Sequence, residues 1–291
     1  MPTAQVDRET ARAPLPSVIV ICGKGRIATG ALSFAVHHVA TSGLACRVAA
    51  CPNSDDKGYD TWQQSLAKAA ALLGVPTVRT IDIEDEPDLL LISLEYDRII
   101  PVTRFRSGRL YNIHFSALPA YRGVFTSIWP LLNGETAVGV SLHLMDPGVD
   151  TGHVIDQRPI QVPRYLTSRQ LYERYVDEGL ELFREWLPCL TTTAPAGLPQ
   201  DSARASSYDR RSLDMKKLEI SFTESSERIC SFVRAMSFPE YQLPLVSGRA
   251  VRWCAVLPGK TRAEPGTVLH ETAFSSSFAA GDQRIVEIIW A

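Results

Sequence analysis

Asn112, His114 and Asp150 are the residues whose types and spacing could do chemistry. Asn112 and His114 stand two apart at the end of an apolar run, and residues i and i+2 of an extended chain share a face. Asp150 lies in a second segment, Asp146-Pro147-Gly148-Val149-Asp150-Thr151-Gly152, rich in turn-forming residues. Together they offer an amide donor, an imidazole and a carboxylate. An imidazole titrates near neutrality and can take and return a proton. An amide N–H can donate to an oxygen on which negative charge develops. A carboxylate can orient the imidazole and stabilise its protonated form. Taken singly, each has a structural reading: a hydrogen-bonded His after a strand, an Asp making a turn, an Asn capping a loop. Their order, with Pro119 and Gly123 turning the chain between them, argues for one site.

Such a set needs strand ends that converge, and the chain has the pattern of an open α/β sheet. Ser17 to Cys22 (SVIVIC) is a continuous β-branched run, expected of a strand buried on both faces. A glycine turn and a helix-spaced stretch, Arg26 to Val39, follow. Further strands are expected over Cys46 to Cys51, near Pro76 to Thr80, over Leu89 to Ser93 and over Leu110 to His114. Ala137 to Met145 alternates and is expected to be a strand with a more exposed face. Helices are expected over Thr61 to Leu73, over Ser168 to Leu187 with Ser168 as cap, and over Ser225 to Met236. Thr191 to Ser207 reads as a linker, and the tail as short strands over 250–257, 266–269 and 284–290. The expected architecture is therefore a Rossmann-like α/β open sheet over 17–200, then a linker, a helix and a smaller β-rich domain over 201–291. Residues 1–16 read as a disordered leader. In an open α/β sheet, ligands bind at the carboxyl ends of the strands, where Asn112 and His114 fall.

A net charge of −2, from 30 basic and 32 acidic residues, disfavours nucleic acid as the main partner, since many phosphates would need neutralising. No apolar run approaches the roughly 20 residues that span a bilayer, so no membrane is expected as a partner. The six cysteines show no CxxC spacing and read as reduced core residues of a cytoplasmic protein without a metal. Apolar segments in the tail are compatible with a homodimer. Gly23-x-Gly25-x-x-Ala28 fits a tight β-to-α turn or a hold on a substrate phosphate. No acidic residue stands about 20 positions on to support a bound dinucleotide.

The run Asn112-Ile113-His114-Phe115-Ser116-Ala117-Leu118-Pro119-Ala120-Tyr121-Arg122-Gly123, followed by the Asp146 to Gly152 segment, resembles the folate-dependent formyltransferases. Their pattern, Asn-x-His, Ser-x-Leu-Pro and Gly-x-Asp-x-Gly, is matched at each position. Ile92 to Ile100, Phe125 to Pro130, Asp156-Gln157 and Arg234 to Gln242 are similar to the members that formylate nucleotide sugars. That resemblance implies N10-formyltetrahydrofolate as co-substrate and a nucleotide-linked amino deoxysugar as acceptor. It implies His114 as base, Asn112 as donor to the oxyanion, and Asp150 orienting His114 and holding a proton-relaying water. The folate would lie against Leu94, Glu95, Tyr96, Asp97, Ile99 and Ile100 and the loop carrying Asp146 and Gly148. For the sugar nucleotide the candidates are Tyr121, Arg122 and Tyr241, with an arginine fork suited to pyrophosphate and aromatic rings to a base. Ser116 could bond the catalytic loop or touch substrate. Formylation of another small amine or hydroxylamine, such as an ornithine derivative, and hydrolysis of formyltetrahydrofolate are the competing readings.

Overall fold

In the computed structural model, which describes residues 12–291, the apolar run after Ser17 forms strand β1 (Val18–Gly23). Then come α1 (Gly25–Ser42), β2 (Arg47–Pro52), α2 (Leu66–Leu72), β3 (Leu89–Leu94) and β4 (Leu110–His114). They are followed by β5 (Arg122–Gly123), α3 (Trp129–Leu132), β6 (Ala137–Leu144), β7 (Val154–Gln161) and α4 (Ser168–Thr192). The chain ends with β8 (Ser207–Tyr208), α5 (Ser226–Met236), β9 (Leu245–Val246), β10 (Arg249–Lys260), β11 (Val268–Glu271), β12 (Ser275–Ala279) and β13 (Arg284–Trp290).

One sheet runs in the order β2-β1-β3-β4-β6-β7. β1 pairs in parallel with β2 and β3, and β3 with β4. Val18, Val20, Leu89 and Leu91 share one core cluster, and the alternate residues Ile19, Ile21, Leu90 and Ile92 are equally buried on the other face. The unbroken apolar runs of β1 and β3 thus reflect a sheet covered on both sides. β6 departs from expectation: Val138 to His143 are buried without alternation, because the strand lies inside the sheet between β4 and β7.

Two compact units result, and they interleave along the chain. The first holds the described residues up to Gly123 together with Gly139–Ile160 and Arg174–Ser207. The second holds Val124–Val138, Gln161–Glu173 and Tyr208–Ala291. A single cut near residue 200 therefore misses two excursions. Within the second unit, Ser168 Oγ donates to Ser237 O and Arg169 pairs with Glu240 at 2.8 Å, which ties the start of α4 to the later chain. This unit carries the sheet β11-β12-β13-β10-β9, with α5 packed on β10 and a core around Ile229, Val233, Val251, Val286 and Ile288. It is β-rich, as expected.

Other differences are local. Residues 1–11 of the expected leader lie outside the described residues, whereas Arg12 bridges Thr193 and Pro14 O accepts from the Arg109 guanidinium at 2.8 Å. α4 begins at Ser168, so the cap is Thr167, whose Oγ1 accepts from Gln170 N–H. No helix among the described residues is long and apolar enough to cross a membrane.

Candidate active site

β4 delivers Asn112 and His114 from one strand end, as the period of an extended chain requires. Asp150 arrives by a longer route. β6 is antiparallel to β4, so its carboxyl end at Leu144 lies beside Tyr111, and Met145 N–H donates to Leu110 O at 2.8 Å. The loop after β6 must therefore return along β4 to bring its carboxylate to His114. Two features permit the return. Asp150 adopts φ 55°, the left-handed region. At Gly152, any Cβ would stand 1.9 Å from Leu144 O. We expect Gly152→Ala to displace the loop and destabilise the fold by about 1–3 kcal/mol, as overpacking does, measurable by denaturant titration.

The distances bring the expected residues together. Asp150 Oδ2 lies 3.5 Å from His114 Nδ1 and accepts from Gly123 N–H at 2.8 Å. Asp150 Oδ1 accepts from Asn112 Nδ2 at 3.4 Å. His114 Nε2 is 2.8 Å from Tyr121 O, and a carbonyl can only accept, so Nε2 carries the proton. The unprotonated nitrogen of the neutral ring is then Nδ1, which faces Asp150. The direct bond that fixes the ring comes from the Tyr121 carbonyl, with Asp150 acting across a longer gap.

His143 completes the group and was missed in the sequence, where it is one alternating residue of a strand. Its Nδ1 donates to Leu144 O at 2.7 Å, leaving Nε2 to accept from Asn112 Nδ2 at 3.0 Å. His143 thereby aims the Asn112 amide. The β4–β6 register, Asn112 opposite His143, puts them side by side. We expect His143→Leu to lower turnover about 10-fold, roughly the 0.5–1.5 kcal/mol of one hydrogen bond, with little change in KM.

Electrostatics follow from burial. His114 is 8% exposed. Burial pushes its pKa below the ordinary value, and the Asp150 carboxylate and Tyr121 carbonyl only partly resist. For Asp150, burial favours the neutral acid, but His114, His143 and the Gly123 N–H together hold the carboxyl well below the usual range. At neutral pH the site is thus a neutral imidazole beside a carboxylate.

The expected binding residues separate into several groups. Leu94 and Ile100 are buried in the sheet's core, while Ile99 is 83% exposed. Glu95 turns the chain after β3 with φ 59°, and its carbonyl accepts from Asn53 Nδ2 at 3.0 Å. Cys51 Sγ donates to Tyr96 Oη at 3.5 Å. Asp97 Oδ2 accepts from Ser54 N–H at 2.9 Å, whereas Asp97 Oδ1 and Asn53 Oδ1 are buried acceptors without a partner among the described residues. Asp146 is occupied within its own loop, accepting from Gly148 N–H at 3.1 Å and Thr151 Oγ1 at 2.6 Å.

Two substrate-side expectations change, at Tyr121 and Arg122, and Ser116 takes the first of its two readings. Ser116 is 1% exposed and its hydroxyl donates to Ala120 O at 2.7 Å, so it braces the turn instead of facing a ligand. The Tyr121 side chain is buried to 9% exposure, and it is the backbone carbonyl of this residue that meets His114 Nε2. Arg122 gives Nε and Nη2 to Gln200 Oε1, at 3.1 and 2.7 Å. Tyr241 belongs to the second unit, 60% exposed, with its ring 5.0 Å from that of Phe238. The glycine turn is a turn: Lys24 and Gly25 N–H donate to Leu94 O and Gln64 O, at 3.3 and 3.2 Å. A Cβ on Gly23 (φ 142°) would collide with Leu94 O.

Comparison with known proteins places the chain in a family. Residues 58–187 match the family model described as formyl transferase. A methionyl-tRNA formyltransferase of Levilactobacillus brevis is 28% identical over 210 residues, which span 71% of this chain and 66% of that enzyme. Two crystal structures match almost end to end. The N-formyltransferase from Helicobacter canadensis, in complex with folinic acid and dTDP-3-aminofucose, is 30% identical, with 95% of this chain and 100% of that one covered and a TM-score of 0.84. WlaRD, a sugar 3N-formyl transferase crystallised with dTDP and 5-N-formyl-THF, is 31% identical, with 96% and 98% covered and a TM-score of 0.84. This chain belongs to the folate-dependent formyltransferase family.

Proposed function

We propose that the protein transfers the formyl group of N10-formyltetrahydrofolate to the amino group of a nucleotide-linked amino deoxysugar. The observation that carries this reading is the convergence of Asn112, His114 and Asp150. It is supported by the end-to-end likeness to two N-formyltransferases crystallised with a formylated folate and a dTDP ligand.

Transfer joins the amine nitrogen to the formyl carbon and breaks the bond from that carbon to N10. The amine must lose a proton and N10 must gain one. His114 Nδ1, the unprotonated nitrogen, takes the proton from the attacking amine, and Asp150 Oδ2 stabilises the imidazolium that forms. The same proton can then pass to N10, so no net proton is consumed. Negative charge developing on the formyl oxygen meets the Asn112 N–H whose 3.4 Å contact with Asp150 is the weaker of its two. Ser116 has no nucleophilic part, since a direct transfer needs no acyl-enzyme. The acceptors Asn53 Oδ1 and Asp97 Oδ1, unpartnered among the described residues, sit by the β3 exit and suit N–H donors such as those of a pterin ring.

The test is to incubate the protein with N10-formyltetrahydrofolate and a panel of dTDP-amino sugars, following tetrahydrofolate release and the formamide product by mass spectrometry. Formylation of a dTDP-amino sugar is expected. Deformylation without any amine, or formylation of methionyl-tRNA or an ornithine derivative with every sugar nucleotide inert, would overturn the reading.

A further inference from the structure

We propose that Gln200 and Arg122 form a clamp that positions the Asp150 loop for catalysis; this rests on the reading of Asn112, His114 and Asp150 as the catalytic set. Gln200 lies in the stretch whose composition reads as a linker. Its Nε2 donates to both Asp150 O and Gly152 O at 2.8 Å, and its Oε1 accepts both Nε and Nη2 of Arg122. A carboxamide is the one side-chain group that can give two N–H bonds and accept two at this place. Glutamate has no N–H, and lysine or arginine has no acceptor. The guanidinium charge polarises the amide and strengthens the bonds it gives to the loop.

The loop needs such a hold. Its internal bonds, from Gly148 N–H and Thr151 Oγ1, converge on Asp146. At Asp150, φ is 55°, a conformation in which a residue with a side chain is uncommon. The Gln200 bonds fall on the backbone of Asp150 and of Gly152, two residues on. The other end of the clamp falls where it matters as well. Arg122 lies between Tyr121, whose carbonyl fixes His114 Nε2, and Gly123, whose N–H fixes Asp150 Oδ2. One tripeptide thus touches the base, the carboxylate and, through Gln200, the loop that carries the carboxylate. Arg122 is thereby assigned to positioning, in place of the pyrophosphate contact expected from sequence.

The test uses Gln200→Glu, Gln200→Ala and Arg122→Met in the full-length protein, with Ser202→Ala, exposed in the same stretch, as control. In all three clamp variants kcat is expected to fall about 10- to 100-fold, the effect of a misplacement near 1 Å. KM for donor and acceptor should hold within about twofold, since a positioning role leaves binding alone. The second readout is the titration of His114 by imidazole 15N NMR, without substrate. His114 faces Asp150 at 3.5 Å and the His143 ring at 6.5 Å, with the Tyr121 carbonyl on Nε2. Asp150 is the one carboxylate in that set, so loosening its loop should move the His114 titration to lower pH. A merely structural loss would reduce the folded fraction without moving it.

An unmoved His114 titration in the variants, or a raised nucleotide-sugar KM with unchanged kcat in Arg122→Met and no effect in Gln200→Glu, would overturn the clamp. If one variant fails to fold, the other two carry the same NMR test. If the wild type transfers no formyl group to any sugar nucleotide, the functional reading falls, and the titration alone still decides the clamp.

Discussion

His114→Gln is expected to lower kcat by about 10²–10⁴-fold, the range a positioned general base contributes, with KM for both substrates nearly unchanged. The glutamine amide can still donate to Tyr121 O, so the loop conformation that depends on that bond should survive. What disappears is the basic Nδ1 beside Asp150. Loss below about tenfold would assign proton removal to another group, since general-base effects fall well above that. The wild-type pH profile carries a matching expectation. Burial holds the His114 pKa below its ordinary value of about 6.5, so kcat/KM should keep its plateau to lower pH than a solvent-exposed imidazole would allow. An acid limb at or above that ordinary value would contradict the assignment. The same shift bears on stability. A histidine whose folded pKa is depressed is destabilised relative to the unfolded chain as pH falls through its ordinary value, and His114→Gln removes that loss.

The second large effect is expected from Asp150→Asn, which should lose most of the rate, about 10²–10⁴-fold by analogy with other His–carboxylate pairs, while the formyl donor still binds. Two physical losses combine. The imidazolium formed during proton transfer has no countercharge. The new amide also cannot satisfy all its neighbours. If its oxygen accepts from Gly123 N–H, its NH2 faces the Asn112 NH2 or competes for His143 Nε2. Asn112, the proposed donor to the formyl oxygen, is disturbed along with His114. Steady-state kinetics and equilibrium binding of a folate analogue separate the two: lost binding with preserved kcat would sink the assignment. The pH dependence of stability gives an independent check. The folded pKa of Asp150 is depressed, chiefly by His114, His143 and Gly123 N–H overcoming burial. Its stabilisation is therefore full above the unfolded carboxylate pKa, about 3.9, and is lost as pH falls below that value. Asp150→Asn has no carboxyl to protonate there, so its melting temperature should fall less than that of the wild type on acidification below pH ~4.

His143 and Gln200 extend the proposed catalytic set with side chains bonded to it. Asn112 is aimed by His143, His114 by the Tyr121 carbonyl, and Asp150 by Gly123 and Gln200. Each support is a hydrogen bond to a group of fixed polarity, and these bonds fix both imidazole tautomers.

Local pattern by itself determined much of this protein. The unbroken apolar runs of β1 and β3 announced a sheet covered on both faces, because only such strands can bury every side chain. The two-residue spacing of Asn112 and His114 put them on one face, since the pleat repeats every second residue. Helix α5 and the tail strand Arg284–Trp290 were also legible in the sequence pattern. Tertiary structure alone decided the rest. That β6 is antiparallel and buried from Val138 to His143 depends on its neighbours in the sheet, which its alternating letters do not encode. The division of the chain into two interleaved units depends on contacts between residues far apart in sequence, which no local pattern encodes. The parts of Ser116, Tyr121 and Arg122 turned on which polar atoms lie within reach of one another in the folded chain. Gln200, 50 residues from Asp150 in sequence, holds its carbonyl at 2.8 Å, and nothing local to a Pro- and Ala-rich stretch foretells that contact.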